Sequence, residues 1–165
     1  MGRLVRYRTD VPDPAEPVER DDLGHLLAKA SQRWDEVLRA RCRAHGFSEV
    51  RPAFGSVLLP LFQRDGLRMG ELAMAARMSK QNMTTLVREV ERSGLVRRRR
   101  DDTDRRAQRV WLTDRAEEFR PAATQIQAEM SSLLSRVLAR RTVATLRRSL
   151  VAVSSMSDTV DGAAL

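Results

Sequence analysis

The spacing of the apolar residues changes abruptly at Gly94. Before this glycine, apolar side chains recur at steps of three and four residues, which predicts a helix over 79–93 that ends with Gly94 as its C-terminal cap. After it, Val110 and Leu112 alternate with polar or aromatic neighbours, which predicts a strand with one buried face. We therefore expect residues 95–113 to form a β-hairpin with a charged tip.

Helical periodicity dominates the chain before this point. A long amphipathic helix is predicted over 21–44, with Gly46 as the residue that ends it. A second helix is predicted to begin at Ser48, which would serve as its N-cap. A short helix over 70–77 then precedes the helix over 79–93, with almost no connection between the two.

The C-terminal part is also predicted to be helical. An apolar stripe that follows Asp114 predicts one long helix, and Thr142 is expected to cap a last helix. The apolar residues of that last helix are Val143, Leu146, Leu150 and Val153. At the other end of the chain, three prolines among acidic residues favour a loose arm over 1–19.

Positive charge is concentrated in the predicted hairpin. The chain has a formal net charge of +8, nearly all of its positive charge is arginine, and the segment 97–109 carries seven arginines against three aspartates. A basic chain favours polyanionic partners. A basic hairpin can lie against the phosphates of a nucleic acid and place a guanidinium in a narrow minor groove.

The helix predicted over 79–93 has a polar face suited to the edges of base pairs. Glutamine and asparagine pair well with adenine, arginine pairs with guanine, and the methyl group of threonine contacts thymine. A solvated surface would be the ordinary explanation, but this face has little acid and adjoins the arginine hairpin. The candidate DNA contacts on this helix are Ser79, Lys80, Gln81, Asn82, Thr84, Thr85 and Arg88.

Two short, closely joined helices followed by a basic hairpin predict a mainly α fold with a winged helix-turn-helix core and a two-stranded β-wing. Apolar stripes on the outer helices suit helix–helix association better than a monomer surface, so dimerisation helices are expected at both ends. The expected parts are a flexible N-terminal arm, an N-terminal dimerisation helix, a winged helix-turn-helix DNA-binding domain and C-terminal dimerisation helices, over 1–19, 20–48, 49–113 and 114–165 respectively.

Residues 51–119 resemble the DNA-binding core of the MarR family of bacterial regulators. The matching motifs are ELA at 71–73, GLV at 94–96, DDTDRRA at 101–107 and VWLT at 110–113. Each motif alone is weak, but their order and spacing together are specific. The resemblance implies a homodimer that binds double-stranded DNA, with one winged helix on each half-site of an inverted repeat.

The resemblance also implies roles for particular residues. Asp104 would brace the wing through a salt bridge, and Arg106 would enter the minor groove. The DNA contacts expected on the wing are Arg98, Arg99, Arg100, Asp104, Arg105 and Arg106. Small-molecule effectors of the family commonly enter the crevice between the dimerisation helices and the core, and they weaken DNA binding. The expected pocket residues are Trp34, Phe54 and Leu58.

The sequence thus predicts a homodimeric repressor that a small molecule releases from its operator, and two alternatives stay open. One is a non-specific nucleic-acid-binding or protein-interaction member of the same fold. The other is a regulator that senses oxidants through Cys42. The neighbours Arg41 and Arg43 favour a thiolate, but Cys42 also continues an apolar stripe, where a buried, inert thiol is the usual outcome.

Other functional classes lack support in the sequence. No glycine-rich phosphate loop, nucleophile–base pair or carboxylate pair appears, so we expect neither an enzyme nor a cofactor. His25 and His45 are too few to make a metal site. No apolar run approaches the ~18 residues of a membrane span, and a single cysteine allows no intrachain disulfide. We therefore expect a cytoplasmic protein with no membrane partner.

Overall fold

The computed structural model describes residues 22–101, 103–104 and 107–154. The chain divides into two compact units, residues 1–36 and 37–165. Helix α1 spans Leu23–Ala44, and its residues as far as Glu36 belong to the first unit. The predicted N-terminal arm lies outside the described residues.

In the described residues of the second unit, five further α-helices and three strands follow. The helices are α2 (Gly55–Gln63), α3 (Met69–Ala75), α4 (Lys80–Arg92), α5 (Asp114–Val137) and α6 (Arg140–Val153). The strands are β1 (Leu67–Arg68), β2 (Val96–Arg100) and β3 (Gln108–Leu112). The mainly α winged helix-turn-helix prediction is therefore confirmed. None of the helices in the described part of the chain is both long and apolar enough to cross a membrane.

The sheet contains one strand more than the predicted wing. Its order is β1-β3-β2 with both pairs antiparallel, so the predicted hairpin is confirmed as β2 and β3. The added strand β1 has only two residues, which pair Leu67 with Val110 and Arg68 with Arg109. Two residues are too short to show a period of two, so no alternation in the sequence could reveal this strand.

One hydrophobic core holds the helix-turn-helix and the sheet together. Helix α4 contributes the four apolar residues that its periodicity predicted, and the sheet contributes the alternating residues Val96, Val110 and Leu112. Helix α5 closes this core through five buried residues, Ala116, Phe119, Ala122, Ile126 and Met130. Helix α6, by contrast, has no buried residue.

Two of the predicted helix starts are wrong. Ser48 does not cap α2, because the chain at Arg51 is extended (φ −110°, ψ 152°) and a short 3₁₀ turn at Pro52–Phe54 precedes Gly55. A residue before proline is driven out of the helical region, and proline itself suits the first helical turn. Thr142 lies inside α6, which begins after an extended break at Leu138 (φ −123°, ψ 137°) and has Ala139 at its N-cap.

The predicted glycine caps are confirmed. Gly46 and Gly94 have φ values of +82° and +75°, which favour glycine. After α1, the Phe47 N–H donates to the Cys42 carbonyl at 2.9 Å; after α4, the Leu95 N–H donates to the Val90 carbonyl at 3.2 Å. Both are the Schellman hydrogen bonds of helix C-termini.

Candidate nucleic-acid interface

Helix α4 has one buried face and one polar face. Met83, Leu86, Val87 and Val90 are buried in the core. Ser79 caps the helix, because its Oγ accepts a hydrogen bond from the Asn82 N–H at 3.1 Å. The polar residues predicted to contact DNA are exposed except Thr84, which is half-buried; the exposed ones are Ser79, Lys80, Gln81, Asn82, Thr85 and Arg88.

The two threonines of α4 have their hydroxyl protons engaged by the helix itself. Thr84 Oγ1 donates to the Lys80 carbonyl at 2.7 Å, and Thr85 Oγ1 donates to the Gln81 carbonyl at 3.2 Å. A hydroxyl bonded in this way still has lone pairs that accept hydrogen bonds. Thr84 and Thr85 therefore offer a methyl group or an acceptor, whereas Gln81, Asn82 and Arg88 offer donors.

The arginines of the wing fall into two sets. Arg99 and Arg100 are exposed, as predicted for DNA contacts. Arg98, also predicted as a contact, is half-buried and is bound by Glu91 of α4. Arg105 and Arg106 lie outside the described residues, so their predicted contacts stay predictions.

Glu91 joins α4 to the wing. Its Oε1 accepts from the Arg98 backbone N–H at 3.0 Å, and its Oε2 accepts from the Arg98 guanidinium at 2.8 and 2.6 Å. The hydrogen bond from the Arg98 side chain lowers the pKa of Glu91. Because Glu91 accepts from both the backbone and the side chain of Arg98, this contact sets the position of β2 relative to α4.

Asp101 is a buried carboxylate at the start of the wing tip, with only 2% of its surface exposed. Its Oδ2 accepts from Arg68 Nε and from Arg109 Nε, each at 2.8 Å. Its Oδ1 accepts from the Thr103 N–H at 2.8 Å and from Thr103 Oγ1 at 2.6 Å. Asp101 thus connects the tip to both β1 and β3.

These hydrogen bonds keep Asp101 ionised. The bonds from Thr103, followed by the contacts with Arg68 and Arg109, hold the pKa of Asp101 well below its usual range. A lowered pKa in the folded state adds stability above the unfolded value of ~4, and that stability is lost as the pH falls through the folded value. The contacts of Asp101 with Thr103, Arg68 and Arg109 should therefore be intact at neutral pH and be lost only in strong acid.

The sequence predicted that Asp101, as one of three aspartates at the turn, pairs with neighbouring arginines and fixes the tip, but it did not identify Arg68, Glu91 or Arg109 as residues that shape the interface. It assigned the brace of the wing to Asp104, which is exposed and whose N–H donates to Asp101 Oδ1 at 3.3 Å. The salt bridge predicted for Asp104 stays a prediction. One feature of the sequence could have pointed to the role of Arg68. It occupies the N-cap of α3, where serine, threonine, aspartate or asparagine is preferred.

The residues predicted for an effector pocket lie in different surroundings. Phe54 and Leu58 are fully buried members of the core. Trp34, in the first unit, is 41% exposed. The pocket stays a prediction. Within the described part of the chain, no group of three or more histidine, cysteine, aspartate or glutamate side chains is arranged to hold a metal ion.

Cys42 is a buried thiol that belongs to the core, with 3% of its surface exposed. Burial raises its pKa, which favours the neutral thiol. Since the thiolate is the reactive species, this environment weighs against oxidant sensing through Cys42.

We expect Cys42 to react with a chromogenic disulfide reagent at neutral pH about tenfold or more slower in the native protein than in urea, because the buried thiol is out of reach of the reagent and burial favours the unreactive neutral form. The measurement is the rate of reagent release. The unfolded chain is the control for the intrinsic reactivity of the thiol. A native rate equal to the unfolded rate would restore the redox-sensing alternative.

Comparison with known proteins identifies relatives of this core. The model of the MarR family matches residues 54–107. The chain is 25% identical over 115 residues to the HTH-type transcriptional regulator PrsX of Escherichia coli, and this alignment covers 68% of the chain and 67% of PrsX.

The fold is also similar to solved structures. The PcaV transcriptional regulator from Streptomyces coelicolor, in complex with its natural ligand, superposes with a TM-score of 0.70 at 20% identity, covering 84% of this chain and 96% of PcaV. The transcriptional repressor CouR, bound to a 23-mer DNA duplex, superposes with a TM-score of 0.67 at 24% identity, covering 84% of this chain and 99% of CouR.

Proposed function

We propose that this chain, whose winged-helix core at residues 54–107 matches the model of the MarR family, is a homodimeric repressor that binds an inverted-repeat operator and is released by a small molecule. The observation that carries this proposal is the polar face of α4. That face presents Gln81, Asn82 and Arg88 to solvent, and Glu91 joins the same helix to an arginine-rich wing. A helix with such a face suits the major groove, and an arginine hairpin suits the adjacent backbone.

The homodimer is supported by the last helix. Helix α6 has 14 residues, an apolar stripe and no buried residue. A short helix is marginal in water unless an apolar face packs against something. Its apolar side chains Val143, Leu146, Leu150 and Val153 are half-buried or exposed, so a second copy of the same stripe would cover them. In such a dimer the two half-sites would lie about one helical turn of DNA apart.

Release by a small molecule is supported by likeness alone. PcaV, whose fold is similar, was solved with its natural ligand. An effector that binds more tightly to a conformation of the dimer that cannot reach both half-sites would weaken DNA binding. At saturation, the loss of affinity equals the ratio of the effector's affinities for the two conformations.

The test of specific DNA binding is selection of duplexes from a random library, followed by affinity measurements on the selected duplex and on an unrelated duplex of equal length. We expect an inverted repeat to be selected. Equal affinity for both duplexes at every salt concentration would favour the alternative of a non-specific nucleic-acid binder of this fold.

Gln81→Ala is expected to weaken binding to the selected duplex by about 1–3 kcal/mol per half-site, because a bidentate contact to a base is lost. Binding to the unrelated duplex should change little. Gln125→Ala, which truncates an exposed glutamine on α5, is the matched control and should leave both affinities unchanged. Equal weakening on the two duplexes would assign Gln81 to the DNA backbone instead.

A further inference from the structure

Arg68 lies at a position where its side chain cannot make the usual capping hydrogen bond. It is the N-cap residue of α3, and an N-cap side chain normally accepts a hydrogen bond from a backbone N–H of the first turn. A guanidinium has donors only. Glu71 supplies half of a capping box, since its Oε2 accepts from the Arg68 N–H at 2.6 Å, but the reciprocal acceptor is missing.

The guanidinium of Arg68 instead reaches the wing. Its Nε donates to Asp101 Oδ2 at 2.8 Å, and its Nη2 donates to Thr103 Oγ1 at 3.3 Å. Asp101 follows β2, at the far edge of the sheet from β1, so this contact crosses over the central strand β3. The first turn of α3 thus loses a side-chain cap, and the wing tip is joined to the helix-turn-helix.

The sheet register explains why a carboxylate is needed at this point. Arg68 is directly opposite Arg109, and Arg109 is directly opposite Arg99, so three arginines form a row across one face of the sheet. Like charges at directly opposite positions destabilise a sheet. Asp101 Oδ2 accepts from both Arg68 and Arg109, which offsets the repulsion, and Arg109 Nη1 also donates to the Gly66 carbonyl at 2.8 Å.

We propose that Arg68 and Asp101 form a latch that positions the wing tip on the helix-turn-helix, so that the tip meets DNA in a fixed orientation relative to α4. Arg68 and Asp101 are positioning residues in this proposal, and it rests on the proposed DNA-binding function. The latch determines how many wing arginines reach phosphate at the same time as α4 occupies the groove. An acidic residue in a basic wing therefore strengthens DNA binding.

The decisive variant is Arg68→Ser, because it should weaken DNA binding without lowering stability, since Asp101 keeps its hydrogen bonds from Arg109 and Thr103. A serine followed three residues later by Glu71 completes a capping box, so the melting temperature should stay equal to that of the wild type or rise by roughly 2–4 °C. Affinity for the selected duplex should fall about tenfold. The slope of log K against log salt should flatten by roughly 0.9 for each phosphate contact that the wing loses.

Asp101→Asn distinguishes the latch from a wing that binds DNA only through its net charge. This variant removes a negative charge, so a purely electrostatic wing would bind DNA more tightly, whereas the latch predicts weaker binding at every salt concentration. Glu118→Gln makes the same change of charge at an exposed carboxylate on α5 and should bind as the wild type does or slightly more tightly. If Asp101→Asn binds more tightly, the latch is overturned.

A double-variant cycle tests whether the two residues act as one device. Arg68→Ser combined with Asp101→Asn should weaken DNA binding no more than Asp101→Asn alone, because both changes break the contact between Arg68 and Asp101. Additive losses would mean that Arg68 contacts phosphate independently, and the latch would be overturned.

Hydrogen exchange of the free protein tests the latch without DNA. In Arg68→Ser, the Thr103 amide, which donates to Asp101 Oδ1 at 2.8 Å, should exchange faster, while amides in α3 exchange at the same rate or more slowly. Unchanged exchange at Thr103 would refute the latch. If the wild type selects no duplex while exchange behaves as expected, the proposed function fails and the latch stands.

Discussion

Replacing Gly66 by alanine is expected to lower the free energy of unfolding by about 3 kcal/mol or more, as the sum of a left-handed backbone penalty and overpacking. Gly66 has a φ of +70°, and a Cβ built on it would lie 2.5 Å from Cη2 of Trp111. The near atoms belong to the rigid ring of the half-buried Trp111 side chain, so the overlap is relieved only if the whole ring moves. The Gly66 carbonyl also accepts from Arg109 Nη1 at 2.8 Å, so a shift of the backbone would disturb the contacts of Asp101 as well.

Gly94→Ala is the matched control for this prediction. Gly94 has a φ of +75°, but a Cβ added at this position would meet nothing within 4 Å. Only the backbone penalty applies there, about 1–2 kcal/mol. The free energies of unfolding of the wild type, Gly66→Ala and Gly94→Ala are measured in urea at one protein concentration, because the stability of a dimer depends on concentration. Equal losses for the two variants would show that the contact with Trp111 does not restrict this position.

Leu150→Asp is expected to dissociate the proposed homodimer and to reduce affinity for the selected inverted repeat by about 100-fold or more. The reason is that each monomer then binds one half-site alone, without the gain from two linked half-sites. Leu150 is 43% exposed on a helix with no buried residue. The change should therefore leave the helix-turn-helix core folded. Light scattering reports the mass, and DNA titration reports the affinity.

Ser149→Asp is the control for this second variant, since it places the same charge on the adjacent, exposed residue of α6. It should retain the dimer mass and most of the affinity. A monomeric wild type at micromolar concentration would refute the proposed homodimer directly. A Leu150→Asp variant that remains dimeric would show that this part of α6 lies outside the interface.

The elements that the sequence predicted well depend on neighbours within one or two turns. The buried and exposed faces of α4 follow from a spacing of three and four residues, and the caps at Ser79, Gly46 and Gly94 follow from the chemistry of a few adjacent backbone groups. The hairpin of β2 and β3 follows from the change of period and the turn residues between the strands. Each of these patterns is complete within a short stretch of chain.

The tertiary structure alone decided which charges of the wing are committed and which are exposed. Arg98 and Arg99 are adjacent and identical in type, yet β2 directs one towards Glu91 and leaves the other exposed. Asp101 and Arg68 are 33 residues apart, and they meet because β1 pairs with β3 and so completes the sheet. Many arginines of this sequence could pair with Asp101, and only the register of the strands selects Arg68 and Arg109. The physical reason is that a charge can pair with any opposite charge nearby, whereas periodicity and caps constrain only the local backbone.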